Sequence, residues 1–168
     1  MKHVRITVFL FFALFISMKA HSSVDQIKVY KSLHRMDLIR DGHIVKSYRV
    51  MLARGGSAPK RKEGDHLVPE GEYILDYKNP DSKFYKSLHI SYPNDEDVKR
   101  AQEAGVDPGG DIMIHGYPNK ESALFKILRK IGLSKLVDWT AGCVAVTNDE
   151  MEELYNEVDV YTPITLYH

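Results

Sequence analysis

Cysteine is almost absent. Cys143 is the single one in 168 residues, which excludes an internal disulfide and every Cys-x-x-Cys metal site. A surplus of positive charge is missing too: 23 Lys and Arg stand against 23 Asp and Glu. Proteins that track a phosphate backbone carry a basic excess, so nucleic acid is not an expected partner. Beyond residue 22 no apolar run reaches the roughly 20 residues that cross a bilayer. Repeats, low-complexity tracts and linkers are likewise missing. His34, His43, His66 and His89 fall in no His-x-His or His-Glu-x-x-His pattern, so neither a metal nor another cofactor is expected. What is present is 43% hydrophobic and 27% charged residues. That is enough for one packed domain and too apolar for a disordered chain.

The first 22 residues read differently from the rest. Lys2 and Arg5 precede an apolar run from Ile6 to Met18, and the small residues Ala20, Ser22 and Ser23 follow. A positive start, a short greasy middle and a small-residue exit describe a secretory signal peptide. Residues 1–22 are therefore expected to be an export signal, and 23–168 the working domain. Export places that domain in the periplasm or cell envelope, with membrane contact only through an uncleaved signal. Without residues 1–22 the chain has 20 basic against 23 acidic groups. In an oxidising compartment a lone thiol pairs between chains, hides in the core or does chemistry.

Alternation of apolar and polar residues predicts strands at 26–31, 35–40, 43–53, 72–77, 84–92, 111–115, 143–147 and 163–167. Asp41-Gly42 predicts a hairpin turn, and 57–71 reads as a long loop. Residues 95–104 predict a polar helix closed by Gly105. Leu124, Ile127, Leu128 and Ile131 recur at helical spacing and predict an amphipathic helix over 122–131, its stripe read as core. A third helix is expected to start at an Asn148 cap, with Asp149 and Glu150 in its first turn. About eight strands and three inserted helices make a mainly β (α+β) domain. Lys60, Arg61 and Lys62 read as a solvated stretch of loop.

Two segments carry the chemistry: Ile112-Met113-Ile114-His115-Gly116-Tyr117-Pro118 and Trp139-Thr140-Ala141-Gly142-Cys143-Val144-Ala145-Val146-Thr147. In the first, a histidine ends an apolar strand. In the second, the only cysteine starts a strand after a glycine that permits close backbone approach. A free thiol is only a few per cent ionised at neutral pH. A neighbouring imidazole can take its proton and later return it to a leaving amine. Sulfur attack on a carbonyl then divides one hard acyl transfer into two easier steps through a thioester. Taken alone, Cys143 reads more readily as a small buried hydrophobe, and spacing cannot show that residues 28 positions apart meet. Trp139 and Tyr117 can line a cleft or pack as core or rim rings.

The two segments resemble the His-Gly and Ser/Thr-x-Gly-Cys motifs of the YkuD-type L,D-transpeptidases. Glu63-Gly64-Asp65, Val68-Pro69-Glu70-Gly71-Glu72-Tyr73, Leu88-His89-Ile90-Ser91-Tyr92-Pro93-Asn94 and Pro108-Gly109-Gly110-Asp111-Ile112 resemble the YafK-like branch. The similarity covers about 26–167. It implies the family's β-sandwich or barrel catalytic domain, acting on peptidoglycan stem peptides; the chain is expected to be a monomer. It implies Cys143 as nucleophile, His115 as base, and the Gly116 carbonyl as the group that orients the imidazole. Gly142 and Cys143 would supply oxyanion donors. Beside what the resemblance implies, Thr140, Trp139 and Tyr117 are expected at the substrate side. The reaction implied is attack on the diaminopimelate carbonyl, release of D-alanine and transfer to an amine. A hydrolase (L,D-carboxypeptidase or amidase) on the same scaffold and a non-catalytic wall-binding module are the competing readings. The chain departs from the common pattern at Ala141, where a second histidine is usual, at Ala145, where Arg or Asn is common, and in its longer His-to-Cys interval.

Overall fold

The computed structural model describes residues 23–168. The expected export signal at 1–22 lies outside the described residues. Eight strands form one mixed sheet: β1 (Gln26–Tyr30), β2 (Arg35–Arg40), β3 (His43–Arg49), β4 (Gly71–Asn79), β5 (Ser87–Ile90), β6 (Met113–His115), β7 (Val144–Ala145) and β8 (Pro163–Tyr167). Their order across the sheet is β3-β2-β1-β8-β4-β5-β6-β7. The pairs β1–β8 and β6–β7 are parallel and the others antiparallel. Three helices are inserted: α1 (Asp95–Ala104), α2 (Ala123–Lys130) and α3 (Asn148–Glu157). The domain is therefore mostly β with three helices.

The sheet curls because its two ends meet. Just past β3, Met51 pairs with Ala145 of β7, and Ala53 with Thr140. The edge that follows β3 is thus joined to the edge that holds Cys143, giving a half-barrel. Inside it lie Ile27 and Val29, Met36 and Leu38, Tyr73 and Leu75, Leu88 and Ile90, Ile114, Val144, Ile164 and Leu166. The alternate residues of each strand do this because side chains change face at every step. Met151 and Leu154 of α3 close the core on one side. Every residue of the packed clusters falls within 24–166. Asp41 and Gly42 both take positive φ, 52° and 75°, the backbone of the Asp-Gly hairpin turn.

Several expectations are corrected. The strand over 43–53 stops at Arg49, and 50–53 continues as isolated bridges with all four residues buried. The strand over 84–92 narrows to Ser87–Ile90, and that over 143–147 to Val144–Ala145. The cap of α3 is Thr147, not Asn148. Thr147 is extended, and its hydroxyl accepts the Glu150 N–H while the Glu150 carboxylate accepts the Thr147 N–H. This capping box satisfies two orphan donors at once, which Asn148 cannot match. The α2 stripe is not core: no residue of α2 is buried, and Leu124, Ile127 and Ile131 face outward. Lys60 is not solvated either. It is buried and ion-paired with Asp65 at 3.0 Å. Asp65 also accepts the N–H groups of Arg61, Lys62 and Leu67, so one carboxylate ties up the 57–70 loop.

Candidate active site

Strands β6 and β7 bring the two motifs together. Their parallel register sets Ile114 against Val144 and His115 against Ala145. Ile114 and Val144 enter the core, so by alternation Met113, His115, Cys143 and Ala145 share the other face. His115 and Cys143 both line one cavity of about 410 Å³, with Asn79, Asp81, Ser82, Lys83, Phe84, Ser87, Asp111 and Met113. Sequence spacing could not supply this juxtaposition, which comes from the pairing of two strands separated by α2.

The imidazole is fixed. His115 is 2% exposed, and its Nδ1 lies 2.7 Å from the Gly116 carbonyl oxygen. A carbonyl only accepts, so Nδ1 carries the proton and Nε2 keeps its lone pair. Burial pushes the ring's pKa down to about 4, partly opposed by the Gly116 carbonyl. At neutral pH the ring is an uncharged base. Phe84 lies 4.5 Å from it centroid to centroid, and Trp139 meets it edge-on at 5.5 Å. These rings cover the imidazole from two sides.

The thiol is also neutral at rest. Cys143 is partly exposed, and its Sγ donates to the Asp111 carbonyl at 3.6 Å. Burial of the sulfur raises its pKa to about 11. The Met113 N–H and Lys60 oppose this, while the Asp111 carboxylate adds to it. Burial thus favours thiol and imidazole over thiolate and imidazolium.

Glycine shapes both sides of the site. Gly142 has φ +145°, and a Cβ there would lie 3.3 Å from both Leu67 O and Ile112 Cδ1. Thr140 staples this turn: its hydroxyl donates to the Cys143 carbonyl at 2.7 Å and accepts the Gly142 N–H at 3.3 Å. The Gly142 N–H is thus engaged within the turn. At Gly116 a Cβ would lie 2.7 Å from Asn148 Oδ1 and 3.0 Å from Tyr85 Cβ. Gly116→Ala should cost about 1–3 kcal/mol of stability and pull Asn148 off the Tyr117 N–H it accepts at 2.8 Å. A thermal melt of the variant unchanged from the parent would contradict this.

The remaining expected site residues sit apart from the cavity's wall. Trp139 packs on His115 and Phe125, and its indole N–H donates to Met51 Sδ at 3.4 Å. Tyr117 is buried with Met51 and Ala145, and its hydroxyl bonds Ser134 at 2.9 Å. It borders a separate cavity with Arg129, Lys135 and Asn148.

Ser87, Asp111 and Asn148 were not singled out as site residues from the sequence. Ser87 is 1% exposed and stands opposite His115 on β5. Its hydroxyl has no hydrogen-bond partner. The Gly116 N–H to Lys86 carbonyl bond marks Ser87 and His115 as a non-hydrogen-bonded pair, the closer kind. Alternation sets Ser87 on the face opposite Leu88 and Ile90, and only its pairing with β6 brings that face to the cavity. Among the described residues no group of three or more His, Cys, Asp or Glu could hold a metal ion.

Comparison with known proteins agrees with this architecture. A curated Escherichia coli K12 protein named "Putative L,D-transpeptidase YafK" is 29% identical over 139 residues, 79% of this chain and 46% of that protein. The chain thus spans about half the length of the curated relatives it matches. The crystal structure of Pgp2, a helical cell shape determining protein of Campylobacter jejuni, superposes with TM-score 0.60 at 24% identity, covering 86% of this chain and 48% of that one. An L,D-transpeptidase of Xylanimonas cellulosilytica superposes at 0.54 with 14% identity, covering 87% and 61%. The model of the YkuD family, the L,D-transpeptidase catalytic domain, matches residues 25–166, and the chain belongs to that family.

Proposed function

We propose that the chain is an exported cysteine acyl-transferase that acts on peptidoglycan stem peptides in the cell envelope. One observation carries this reading: Cys143 and His115 line the same cavity, with the imidazole held in the tautomer that leaves Nε2 free to accept a proton. Family membership supplies the substrate class.

The reaction follows from the resting charges. A stem peptide enters with its diaminopimelate carbonyl over Cys143. Sulfur attacks the carbonyl carbon as Nε2 of His115 takes the thiol proton. The negative charge that forms on oxygen is assigned to the Cys143 N–H, because the Gly142 N–H is engaged by Thr140. Collapse breaks the carbon–nitrogen bond, and Nε2 returns its proton to the departing D-alanine amine. The thioester is then attacked by an amine of a second stem. That amine gives a proton to Nε2, and the thiolate leaves and is reprotonated by the imidazolium.

The test uses residues 23–168 with defined disaccharide-tetrapeptides, products being read by mass spectrometry. Cross-linked dimers and free D-alanine are expected, and neither with Cys143→Ala. Tripeptide monomers alone would move the reading to an L,D-carboxypeptidase. Unchanged substrate in both samples would overturn acyl transfer and leave the wall-binding module.

A further inference from the structure

The outer side of the α2 region is not explained by folding or by the chemistry above. Leu124 is 67% exposed, Ile127 56%, Ile131 58% and Leu136 63%, with Leu133 beside them also exposed. On a helix of 3.6 residues per turn, 124, 127 and 131 form one ridge. The opposite side attaches to the body through Phe125 against Tyr117 and Trp139. Single exposed aliphatics are ordinary, but five within thirteen residues of sequence form a patch of the kind that marks an interaction surface.

Charge identifies the partner. Residues 118–137 contain Lys120, Lys126, Arg129, Lys130 and Lys135 against Glu121 alone. The rest of 23–168 is acidic, since that whole stretch has 20 basic and 23 acidic groups. Glu121 is bound by Arg129 at 3.0 Å and is itself largely covered, and Lys135 pairs with Glu150 at 2.6 Å. Lys120, Lys126 and Lys130 are exposed, and the last two lie on α2 beside the aliphatic ridge. Aliphatic side chains flanked by lysines, with no aromatic or hydrogen-bonding group among them, match the boundary layer of an anionic bilayer. A folded protein partner would ordinarily be met with aromatic and arginine anchors. No helix of the described residues is long and apolar enough to cross a membrane, so contact here is at the surface.

We propose that the ridge of α2 and the turn after it docks the domain on an anionic lipid surface. The aliphatic side chains enter the headgroup boundary and the lysines meet phosphate groups. The acidic remainder of the domain is turned away from the same charge. Phe125 joins this ridge to Trp139, and Trp139 to His115, so docking sets the cavity at a fixed height over the bilayer.

The test is vesicle flotation with residues 23–168, which contain every packed core residue and omit the apolar stretch at 6–18. Vesicles of phosphatidylcholine with about one third phosphatidylglycerol are compared with pure phosphatidylcholine. Partition onto the anionic vesicles is expected, falling with added salt. Lys126→Gln with Lys130→Gln should lower it about tenfold or more, from two surface-facing lysines. Leu124→Ser with Ile127→Ser should do the same, and neither pair should lower the melting temperature, because all four side chains are exposed. Equal partition onto neutral vesicles, no partition, or partition unaltered by both pairs would overturn the proposal. So would concentration-dependent pairing of copies that Leu124→Ser with Ile127→Ser removes while vesicles stay unbound, which would assign the ridge to a second copy.

Discussion

His115→Gln is expected to lower turnover of a stem tetrapeptide by about 100- to 10,000-fold, the range over which a positioned acid–base group acts. The reason lies in the two resting protonation states. Burial holds the ring near 4 and the thiol near 11. Moving the proton from sulfur to Nε2 with no substrate present would cost on the order of 10 kcal/mol, before the attraction of the new charges is counted. Burial of both groups therefore favours the neutral pair at rest. Proton transfer has to accompany carbon–sulfur bond formation, when the negative charge passes to the carbonyl oxygen. The same burial that discourages the imidazolium makes it a strong acid once formed, which suits delivery of a proton to a departing amine. Glutamine can neither take nor return that proton. The pH profile gives the sign. His115 must be uncharged to act, so the acid limb of parent kcat/KM should fall through half-maximum nearer pH 4–5 than at the ordinary histidine value of about 6.5. The limb should vanish in the variant. A half-maximum near 6.5, or a variant within threefold of the parent, would remove His115 from the role assigned to it.

Much of this arrangement was legible because it depends on local rules. Strands β1, β2 and β8 form within a residue of the expected 26–31, 35–40 and 163–167. Asp41-Gly42 has the backbone freedom that its hairpin requires. Helix α1 has an acidic first turn and a glycine stop, and its bounds match the sequence pattern. What could not be read depends on neighbours distant in the chain. Helical spacing shows that Leu124, Ile127 and Ile131 share a face, but not whether that face meets core or water. Lys60 looks like one of three loop cations until the loop folds back and sets Asp65 beside it. Ser87 gained its place only when β5 was set against β6. The meeting of His115 with Cys143 needed a parallel pairing across an inserted helix, which alternation within either strand does not contain. The motif resemblance supplied it instead.

The sulfur itself gives the second large effect. Cys143 should react with iodoacetamide at pH 7.5 about 20-fold more slowly than free cysteine. A thiol near 11 holds roughly 300-fold less thiolate at that pH than one near 8.5. The more basic thiolate is intrinsically the better nucleophile, by about 15-fold over this interval, which offsets part of the loss. The sign with pH is set by deprotonation: the rate should climb close to tenfold per unit from pH 7 to 10 and flatten only near 11. A preformed thiolate–imidazolium pair would instead give a fast plateau below pH 7, and that plateau would refute the neutral resting state. Acylation by a β-lactam carbapenem distinguishes a slow thiol from an incompetent one. Its carbonyl develops an oxyanion as sulfur attacks, so base and backbone donor act together. Carbapenem acylation should therefore fall steeply in His115→Gln, whereas alkylation, which needs no oxyanion, should change little. The contrast between the two reagents separates a base that acts only during attack from one that ionises the sulfur beforehand.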